Sequence, residues 1–412
     1  MIHHIVLVLE IASCLGTVAS VGFYVLCLYS AARFLGRRKA AGEGARSTQQ
    51  PAPFTPAVSI LKPLRGTDPE MYESFRSHCL QDYPAYEIIF GVSEADDPAA
   101  ELVERLQAEF KSVHIRLVLC MKDLGANTKV SNLAQMLPEA QYEHIVVNDS
   151  DIRVEADYLR NVMALLEDPK VGLVTCLYRG VASPSLGSRL ESLSISTDFS
   201  PGVLAARQLE GGLHFGLGST LAFRRSDLAS AGGFDALSDY LADDYEIGRR
   251  IAGLGLKVEL SETVVDTFLP RYDMKQFLDH QLRWARTIRD SRPGGYFGLV
   301  ATFGLPWAML ALLCAGGAGW AWVLLGAAVL TRYAVALAVG RMVLRDQQVT
   351  RWLALVPLRD LVAVLVWFMG CWGHTVTWRG KTFELKNGKL ADTLPVLHSA
   401  AGDGSGSNRP SE

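Results

Sequence analysis

Two aspartates, Asp149 and Asp151, end a run of β-branched apolar residues in the segment HIVVNDSDIRV, residues 144–154. On an extended backbone, side chains two positions apart point the same way, so both carboxylates can approach one cation. Mg²⁺ and Mn²⁺ prefer carboxylate and phosphate oxygens, and a diphosphate would supply the ligands that two carboxylates leave open. A D-x-D pair is also frequent in solvated turns, so the spacing alone leaves a metal site and a turn both open.

A second acidic pair, Asp243 and Asp244, precedes an apolar-periodic segment in LADDYEIGRR. Acidic residues at a helix start complement the helix dipole, which is one interpretation. The other is a general base, because a carboxylate beside other carboxylates can have a raised pKa. The sequence does not decide between them.

A basic segment, DHQLRWARTIRD, places Arg283, Arg286 and Arg289 close to one face of a predicted helix, with Trp284 beside them. Such a helix can lie on anionic lipid. Alternatively, the arginines hold a diphosphate and the tryptophan walls the site. Both interpretations can hold for different residues.

The elements that must position these residues alternate between strand-like and helix-like patterns from Ala57 onward. AVSILKPL, YEIIFGVSE, VHIRLVLC and HIVVNDSD are predicted strands, separated by segments of helical character. The alternation predicts a parallel sheet with helices on both faces, and such sheets bind ligands at the carboxyl ends of their strands. Asp97 follows one of these strands, and Lys62 and Lys129 are expected in loops at strand ends, where a plain surface lysine is the ordinary interpretation.

The two ends of the chain are apolar and predict membrane segments. Residues 5–39 are long enough to span a bilayer and end in three basic residues, Arg37, Arg38 and Lys39. Basic residues favour the cytosolic side, which places the N-terminus outside and the main domain in the cytosol. Three further apolar stretches cover 297–316, 319–340 and 352–373.

The third stretch contains Arg359 and Asp360, which should face protein or water, or lie near an interface. Three full crossings would leave the basic segment WRGKTFELKNGK outside, against its charge, so one stretch could be re-entrant or lie flat. The expected organisation is a transmembrane anchor at 1–39, a linker at 40–56, a catalytic domain at 57–292, membrane helices at 293–378 and a tail at 379–412 whose end is disordered.

Composition excludes some classes of protein. A net charge of −3 gives no indication of nucleic-acid binding. The seven cysteines are scattered without a CxxC motif, which argues against a zinc site and a disulfide framework. No GxGxxG or GxxxxGK[ST] segment is present, so the two commonest phosphate loops are excluded.

Six motifs in one order resemble the ceramide glucosyltransferase-like family, including its bacterial hopanoid-biosynthesis branch. They are ILKPLRGTDPEM, DYPAYEIIFGVSEADDPA, GANTKVSNL, NDSDIRV, LADDYEIG and LRWARTIR. The resemblance covers about residues 55 to 290. It implies a GT-A fold, a Rossmann-like nucleotide-sugar-binding sheet, with one N-terminal and two to three C-terminal membrane helices.

The resemblance also implies roles for individual residues. Asp97 matches the aspartate that contacts the nucleotide, Asp149 the metal- and donor-binding aspartate, and Asp244 the catalytic base. Asp151 stands where the animal enzymes carry glycine, which strengthens the case for Mg²⁺ or Mn²⁺. The other implied donor-binding residues are Lys62, Lys129, His280, Arg283 and Trp284. His280 departs from the usual Gln or Arg of the family.

The expected activity is inverting transfer of glucose or N-acetylglucosamine from a UDP-sugar to a hydroxyl of a membrane lipid, ceramide or a hopanoid polyol. The expected location is a bacterial inner membrane crossed several times, with the catalytic domain in the cytosol. A processive polysaccharide synthase of the same fold and a non-catalytic membrane scaffold are the alternatives. Polymer products would indicate the first, and absence of any sugar transfer the second.

Overall fold

The computed structural model describes residues 1–44, 53–378 and 381–392. Eight strands form one sheet in the order β3-β2-β1-β4-β7-β6-β8-β5, and three further strands form a small sheet in the order β11-β10-β9. The strands are β1 Val58–Pro63, β2 Tyr86–Val92, β3 His114–Leu119, β4 His144–Val147, β5 Ile152–Arg153, β6 Val171–Val181, β7 Leu221–Arg224, β8 Lys257–Phe268, β9 Thr375–Trp378, β10 Lys381–Lys386 and β11 Lys389–Asp392.

The described residues also form fifteen α-helices, several of which follow strands of the large sheet. They are α1 Ile2–Gly44, α2 Met71–Cys79, α3 Ala99–Glu109, α4 Thr128–Met136, α5 Tyr158–Ala164, α6 Leu186–Ser194, α7 Ser200–Leu209, α8 Arg225–Ser230, α9 Asp243–Gly253, α10 Met274–Ser291, α11 Pro293–Gly298, α12 Gly304–Cys314, α13 Gly319–Val335, α14 Gln347–Arg351 and α15 Val356–Gly370. Two π-helical segments, Ile195–Phe199 and Ala336–Val343, continue α6 and α13.

The large sheet is mixed: β6 and β8 pair in parallel, but the prediction of a parallel sheet is wrong for the pairings of β7 and β5. Strands β1 to β4 pair in parallel, as their alternation with helices predicts. Strand β7 pairs antiparallel with both β4 and β6, and β5 pairs antiparallel with β8. These pairings join segments far apart in the sequence, and local periodicity carries no information about their direction.

Apolar cores fill both faces of the large sheet. Strand β1 is buried along its whole length because one face packs on α2 and the other on α4. Ile60 belongs to the core on the α2 side of the sheet, and Leu61 belongs to the core on the α4 side. This two-sided burial fixes the carboxyl ends of β1 and β4, where the predicted site lies.

Among the residues that the structure describes, three helical segments are long and apolar enough to cross a membrane: His3–Ala40, Gly319–Val343 and Leu353–Gly370. The pair Pro293–Thr302 and Gly304–Cys314, bent by 51°, could act as a fourth. Helix α1 continues to Gly44, so the first part of the predicted linker is helical; residues 45–52 lie outside the described ranges.

The C-terminal sheet packs against the catalytic domain, so the predicted tail contains two strands. Leu241 N donates to Gly388 O at 3.1 Å, and Leu390 N donates to Asp239 O at 2.7 Å. Phe383 packs in the same small apolar core as Leu241. Residues 381–389 of the basic segment therefore lie on the same side as the domain that carries the large sheet. The segment predicted to be disordered, 399–412, is outside the described ranges.

Candidate active site

Strand β4 ends beside β1 and delivers Asp149 to the carboxyl edge of the sheet. The Asp149 side chain is 40% exposed and so is open to a ligand. Lys62 supports the turn from below, because its Nζ donates to the Asp149 carbonyl oxygen at 2.9 Å. The prediction that Lys62 lies in a loop is wrong: it is a fully buried residue of β1. Burial lowers its pKa to about 7, against the opposing charges of Asp151 and Asp149.

Lys129 joins two of the predicted acidic groups. Its Nζ lies 2.8 Å from Asp149 Oδ1 and 3.1 Å from Asp243 Oδ2. Burial lowers the pKa of Lys129, but the charges of Asp149, Asp243 and Asp244 outweigh it and raise the pKa above its usual range. Lys129 is on the first turn of α4, not in a loop, and Asn127 caps that helix by accepting from Val130 N at 3.2 Å.

Asp244 lies in the first turn of α9, and its carboxylate is held by two backbone donors. Gly218 N donates to one oxygen at 2.7 Å, and Tyr245 N donates to the other at 2.8 Å. Burial, followed by the charge of Asp243, raises the pKa of Asp244 to about 6. A carboxylate with this pKa is ionised at neutral pH and still able to accept a proton during a reaction.

Two glycines allow these carboxylates to converge. A Cβ added to Gly218 would lie 3.2 Å from an oxygen of Asp149 and 3.2 Å from an oxygen of Asp244. A Cβ added to Gly248, on α9, would lie 2.2 Å from Gly216 N. Gly248 thus lets α9 approach the loop before β7, and Gly218 keeps the space between the two carboxylates open.

Asp151 is a deeper residue than Asp149. Thr267, on β8, donates its hydroxyl to the Asp151 carboxylate. Burial and the nearby charge of Asp149 raise the pKa of Asp151 to about 6. The repulsion between these two carboxylates is the electrostatic condition that a divalent cation would relieve.

Asp97 lines a separate cleft of about 260 Å³ with Arg65, Gly66, Ser93, Glu94, Asp96 and Pro98. Its carboxylate accepts from Gly66 N at 3.0 and 2.9 Å and from Ala99 N at 2.9 Å, so it fixes both walls of this cleft. A larger cavity of about 580 Å³ lies beside Val171, the first residue of β6. No residue of the predicted site lines this cavity.

Helix α10 contributes an aromatic wall. The His280 ring stacks on Tyr272 with centroids 5.4 Å apart and lies 5.4 Å from the Trp284 ring. Trp284 then contacts Phe199 at 5.9 Å, and Phe199 contacts Tyr178 at 5.3 Å. Burial and the charge of Asp244 raise the pKa of Tyr178, so this chain of rings leads from α10 towards the base candidate.

The family model for glycosyl transferase family 21 matches residues 13–391. The chain belongs to that family. This match covers most of the chain and includes the membrane helices as well as the acidic site.

Curated relatives of this family 21 chain carry ceramide glucosyltransferase names. Ceramide glucosyltransferase 3 of Caenorhabditis elegans is 28% identical over 232 residues, which is 56% of this chain and 50% of the relative. The ceramide glucosyltransferase of Komagataella phaffii is 34% identical over 125 residues, 29% of this chain and 25% of the relative. The chain thus spans half or less of the length of these relatives.

A solved structure shares the fold. It is the mannosyltransferase PcManGT from Pyrobaculum calidifontis in complex with GDP-Man and Mn²⁺, with a TM-score of 0.54 and 22% identity. The alignment covers 88% of this chain and 99% of that one. The expected GT-A fold is therefore confirmed.

The acidic residues of this family 21 chain fit a divalent cation in part. Asp149 offers an open carboxylate and Asp151 a second one, now bonded to Thr267. Within the described residues no group of three or more His, Cys, Asp or Glu side chains is arranged to hold a metal. A cation here would thus need oxygens from the donor diphosphate, as the sequence predicts.

Sequence reasoning missed Glu191, a buried residue of α6. Its carboxylate accepts from Gln281 Nε2 at 2.7 Å and lies 3.5 Å from His280 Nδ1. Glu191 therefore holds Gln281 by a hydrogen bond and lies beside His280, close to Arg283 and Trp284 on α10. No motif marks it; the only signal was an acidic residue at an apolar-spaced helix position.

The arginines of α10 divide between two tasks. Arg286 Nη1 donates to Thr375 O at 2.6 Å and Arg289 Nη1 donates to Gly370 O at 2.6 Å. These two side chains anchor the C-terminal segment. In the structure both arginines bind main-chain carbonyls of the protein, a role that neither a lipid-binding nor a diphosphate-binding helix face predicts. Arg283 stays the predicted diphosphate ligand on this helix.

Proposed function

We propose that this chain is an inverting glycosyltransferase that moves glucose or N-acetylglucosamine from a UDP-sugar to a hydroxyl of a membrane lipid, ceramide or a hopanoid polyol. The observation that carries the proposal is the convergence of Asp149 and Asp244 on Gly218. A donor-binding carboxylate and a candidate base thus face one small space at the carboxyl edge of the sheet. The ceramide glucosyltransferase names of the relatives support the lipid acceptor.

Asp244 is the proposed base. Gly218 N and Tyr245 N hold its carboxylate in place, and its pKa of about 6 suits removal of a proton from the acceptor hydroxyl as that oxygen attacks the sugar. Attack from the side opposite the diphosphate gives inversion in a single displacement.

Asp149 and Asp151 are the proposed holders of Mg²⁺ or Mn²⁺, which when bound would stabilise the charge of the departing UDP. Lys129 orients Asp149 through its 2.8 Å ion pair. Arg283, His280 and Trp284 are proposed to close over the diphosphate and Asp97 to bound the nucleotide cleft, while Lys62 acts through the backbone of Asp149.

The proposed location is a bacterial inner membrane, with the N-terminus outside and the catalytic domain in the cytosol. Arg37, Arg38 and Lys39 at the domain end of α1 support this orientation. A cytosolic domain has direct access to UDP-sugars, and the membrane helices bring the lipid hydroxyl to the site.

Mass spectrometry of lipid products tests the proposal. Membranes containing the chain are supplied with UDP-glucose, UDP-N-acetylglucosamine or GDP-mannose and with ceramide, diacylglycerol or a hopanoid polyol. We expect one lipid bearing a single sugar of inverted configuration, absent with Asp244→Asn. A polymeric product would favour a polysaccharide synthase, and no transfer with any pair would favour the scaffold.

A further inference from the structure

Helix α15 has the composition of a membrane span, yet both of its ends are attached to the catalytic domain. Just before it, Gln348 Nε2 donates to Gly180 O of β6 at 2.8 Å, and the Arg189 guanidinium of α6 lies 5.5 Å from the Trp352 ring centroid. At its other end Arg289 of α10 binds Gly370 O at 2.6 Å. A helix that crossed a bilayer would have one end on the far side.

The middle of α15 is also fixed to domain elements. Arg359 Nη2 donates to Gln281 Oε1 of α10 at 3.0 Å and to Ser194 Oγ of α6 at 2.6 Å. Nearer the end, Tyr296 and Trp367 exchange two hydrogen bonds of 2.6 and 3.0 Å between side chains and carbonyls. The helix therefore runs along α10 and does not leave the domain.

The opposite face of α15 is an exposed apolar stripe. Its members recur every three or four residues, which is one face of a helix; they are Leu358, Leu361, Leu365 and Phe368, and Trp372 continues the row just after the helix ends. Each is between 41% and 58% exposed. One buried, partly charged face and one apolar exposed face are typical of a helix lying in a membrane interface.

Contacts involving α1 and α13, two helices long and apolar enough to span a membrane, set the depth of α15 in the bilayer. Large apolar side chains of α1 are exposed from Ile5 to Tyr29, so the bilayer surface nearest the domain meets α1 close to Tyr29. Arg332 of α13 lies 6.0 Å from the Tyr24 ring centroid and 2.6 Å from Asp360 Oδ1 of α15. Tyr24 is five residues before Tyr29, about 8 Å along the helix. The first turns of α15 thus lie about 8 Å below the bilayer surface, the depth of an interfacial helix, where the charged pair is less costly than at the centre.

We propose that α15 does not cross the membrane but lies in its interface, with the apolar stripe in the boundary between headgroups and acyl chains. The stripe belongs to a segment with the hydropathy of a membrane span, Leu353–Gly370, and Asp360 joins this segment to Arg332 of α13, another segment with that hydropathy; these two observations identify the occupant as lipid. It follows that α14 and the C-terminal sheet are on the side of the catalytic domain, which also removes the conflict between three crossings and the basic C-terminal segment. This inference does not depend on the sugar-transfer activity.

Cysteine accessibility tests the path of the chain. Single cysteines replace Gln347, before α15, and Lys386, after it, in a full-length chain whose seven natural cysteines are changed to alanine or serine and whose melting temperature and recovery in the membrane fraction match those of the wild type. Lys111→Cys marks the domain side and His3→Cys the other side; all four positions are exposed. We expect a membrane-impermeant maleimide to label positions 347, 386 and 111 from one side of sealed vesicles and position 3 from the other. Labelling of 347 and 386 from opposite sides overturns the proposal.

Spin labels measure depth directly. Leu358→Cys and Phe368→Cys are both on α15 and ten residues apart, about 15 Å along the helix. In bilayers of phosphatidylcholine and phosphatidylglycerol, we expect both labels at nearly the same shallow depth. A depth difference approaching about 15 Å would show a span, and labels in water would show that lipid does not cover this face. Either result contradicts the interfacial helix.

Discussion

Lys129 Nζ bridges Asp149 and Asp243, at 2.8 and 3.1 Å, and so ties the end of strand β4 to the start of helix α9. The loop before α4 is fixed to the same region, because Asn127 Nδ2 donates to Tyr240 O at 2.7 Å. One buried ammonium thus sets the spacing of the two carboxylates that it bridges.

Replacing Lys129 by methionine should shift the pH dependence of transfer. The ammonium lowers the pKa of Asp244, so its loss leaves the carboxylates to repel one another and raises that pKa. We expect the acid limb of kcat/KM to move upward by about one pH unit or more. Lys129→Arg, which keeps the charge, is the control; an unchanged limb in Lys129→Met would show that Lys129 does not act on the base.

Replacing Asp244 by asparagine should lower kcat by about 10² to 10⁴ fold, the usual contribution of general acid–base catalysis. Binding of the UDP-sugar should change little, since the amide keeps the size of the side chain. The wild-type rate should rise with pH through about 6, because the base works only when ionised. Rate measurements from pH 5 to 8 with titration of donor binding check both points, and wild-type turnover by Asp244→Asn would remove the base assignment.

Replacing Gly218 by alanine should impair turnover without unfolding the chain. The added methyl carbon would lie 3.2 Å from both Asp149 and Asp244, so the two carboxylates must move apart by a few tenths of an ångström. We expect kcat to fall about tenfold or more, since small misplacements at a reacting centre are costly. Gly202→Ala, where nothing lies within 4 Å of the added atom, is the matched control. Equal activity of the two variants would contradict the shared space.

The GT-A fold could be predicted from the sequence, whereas the pairing of its distant segments and the packing around the candidate site could not. Asp149 and Asp244 follow recognisable local patterns, a buried strand and an acidic helix start, so their places could be predicted. Lys62 could not, because its burial depends on helices packed on both faces of β1. The antiparallel β7 and the contact of Leu241 with Gly388 join distant segments, and Glu191 gains its role only when α6 meets α10.

Replacing Asp151 by asparagine should chiefly weaken metal dependence. We expect the Mn²⁺ concentration for half-maximal activity to rise at least about tenfold, whereas Asp149→Ala should abolish transfer. Thr267→Val, which removes only the hydroxyl donor, separates a ligand role from a structural one. If Asp151→Asn titrates with Mn²⁺ like the wild type, Asp149 alone carries the cation.

The same variant has a stability signature that needs no substrate. Asp151 has a pKa raised to about 6 by burial, so its contribution to stability is present at low pH and is lost as pH rises through about 6. We expect the melting temperature of Asp151→Asn, relative to wild type without metal, to be higher at pH 8 than at pH 5. The opposite trend would mean that the ionised carboxylate is well stabilised by Thr267 and Lys62.

Replacing His280 by glutamine should preserve most activity, because glutamine is a usual residue at this position in the resembling family and can donate to phosphate without titrating. His280→Ala should raise KM for the UDP-sugar, since it also removes the ring that stacks between Tyr272 and Trp284. Glu191→Gln should raise the same KM by loosening both His280 and Gln281, with the melting temperature as a check on folding. Steady-state kinetics distinguish these variants. If His280→Gln is as impaired as His280→Ala, the imidazole itself is required, and His280 does more than position Arg283 and Trp284.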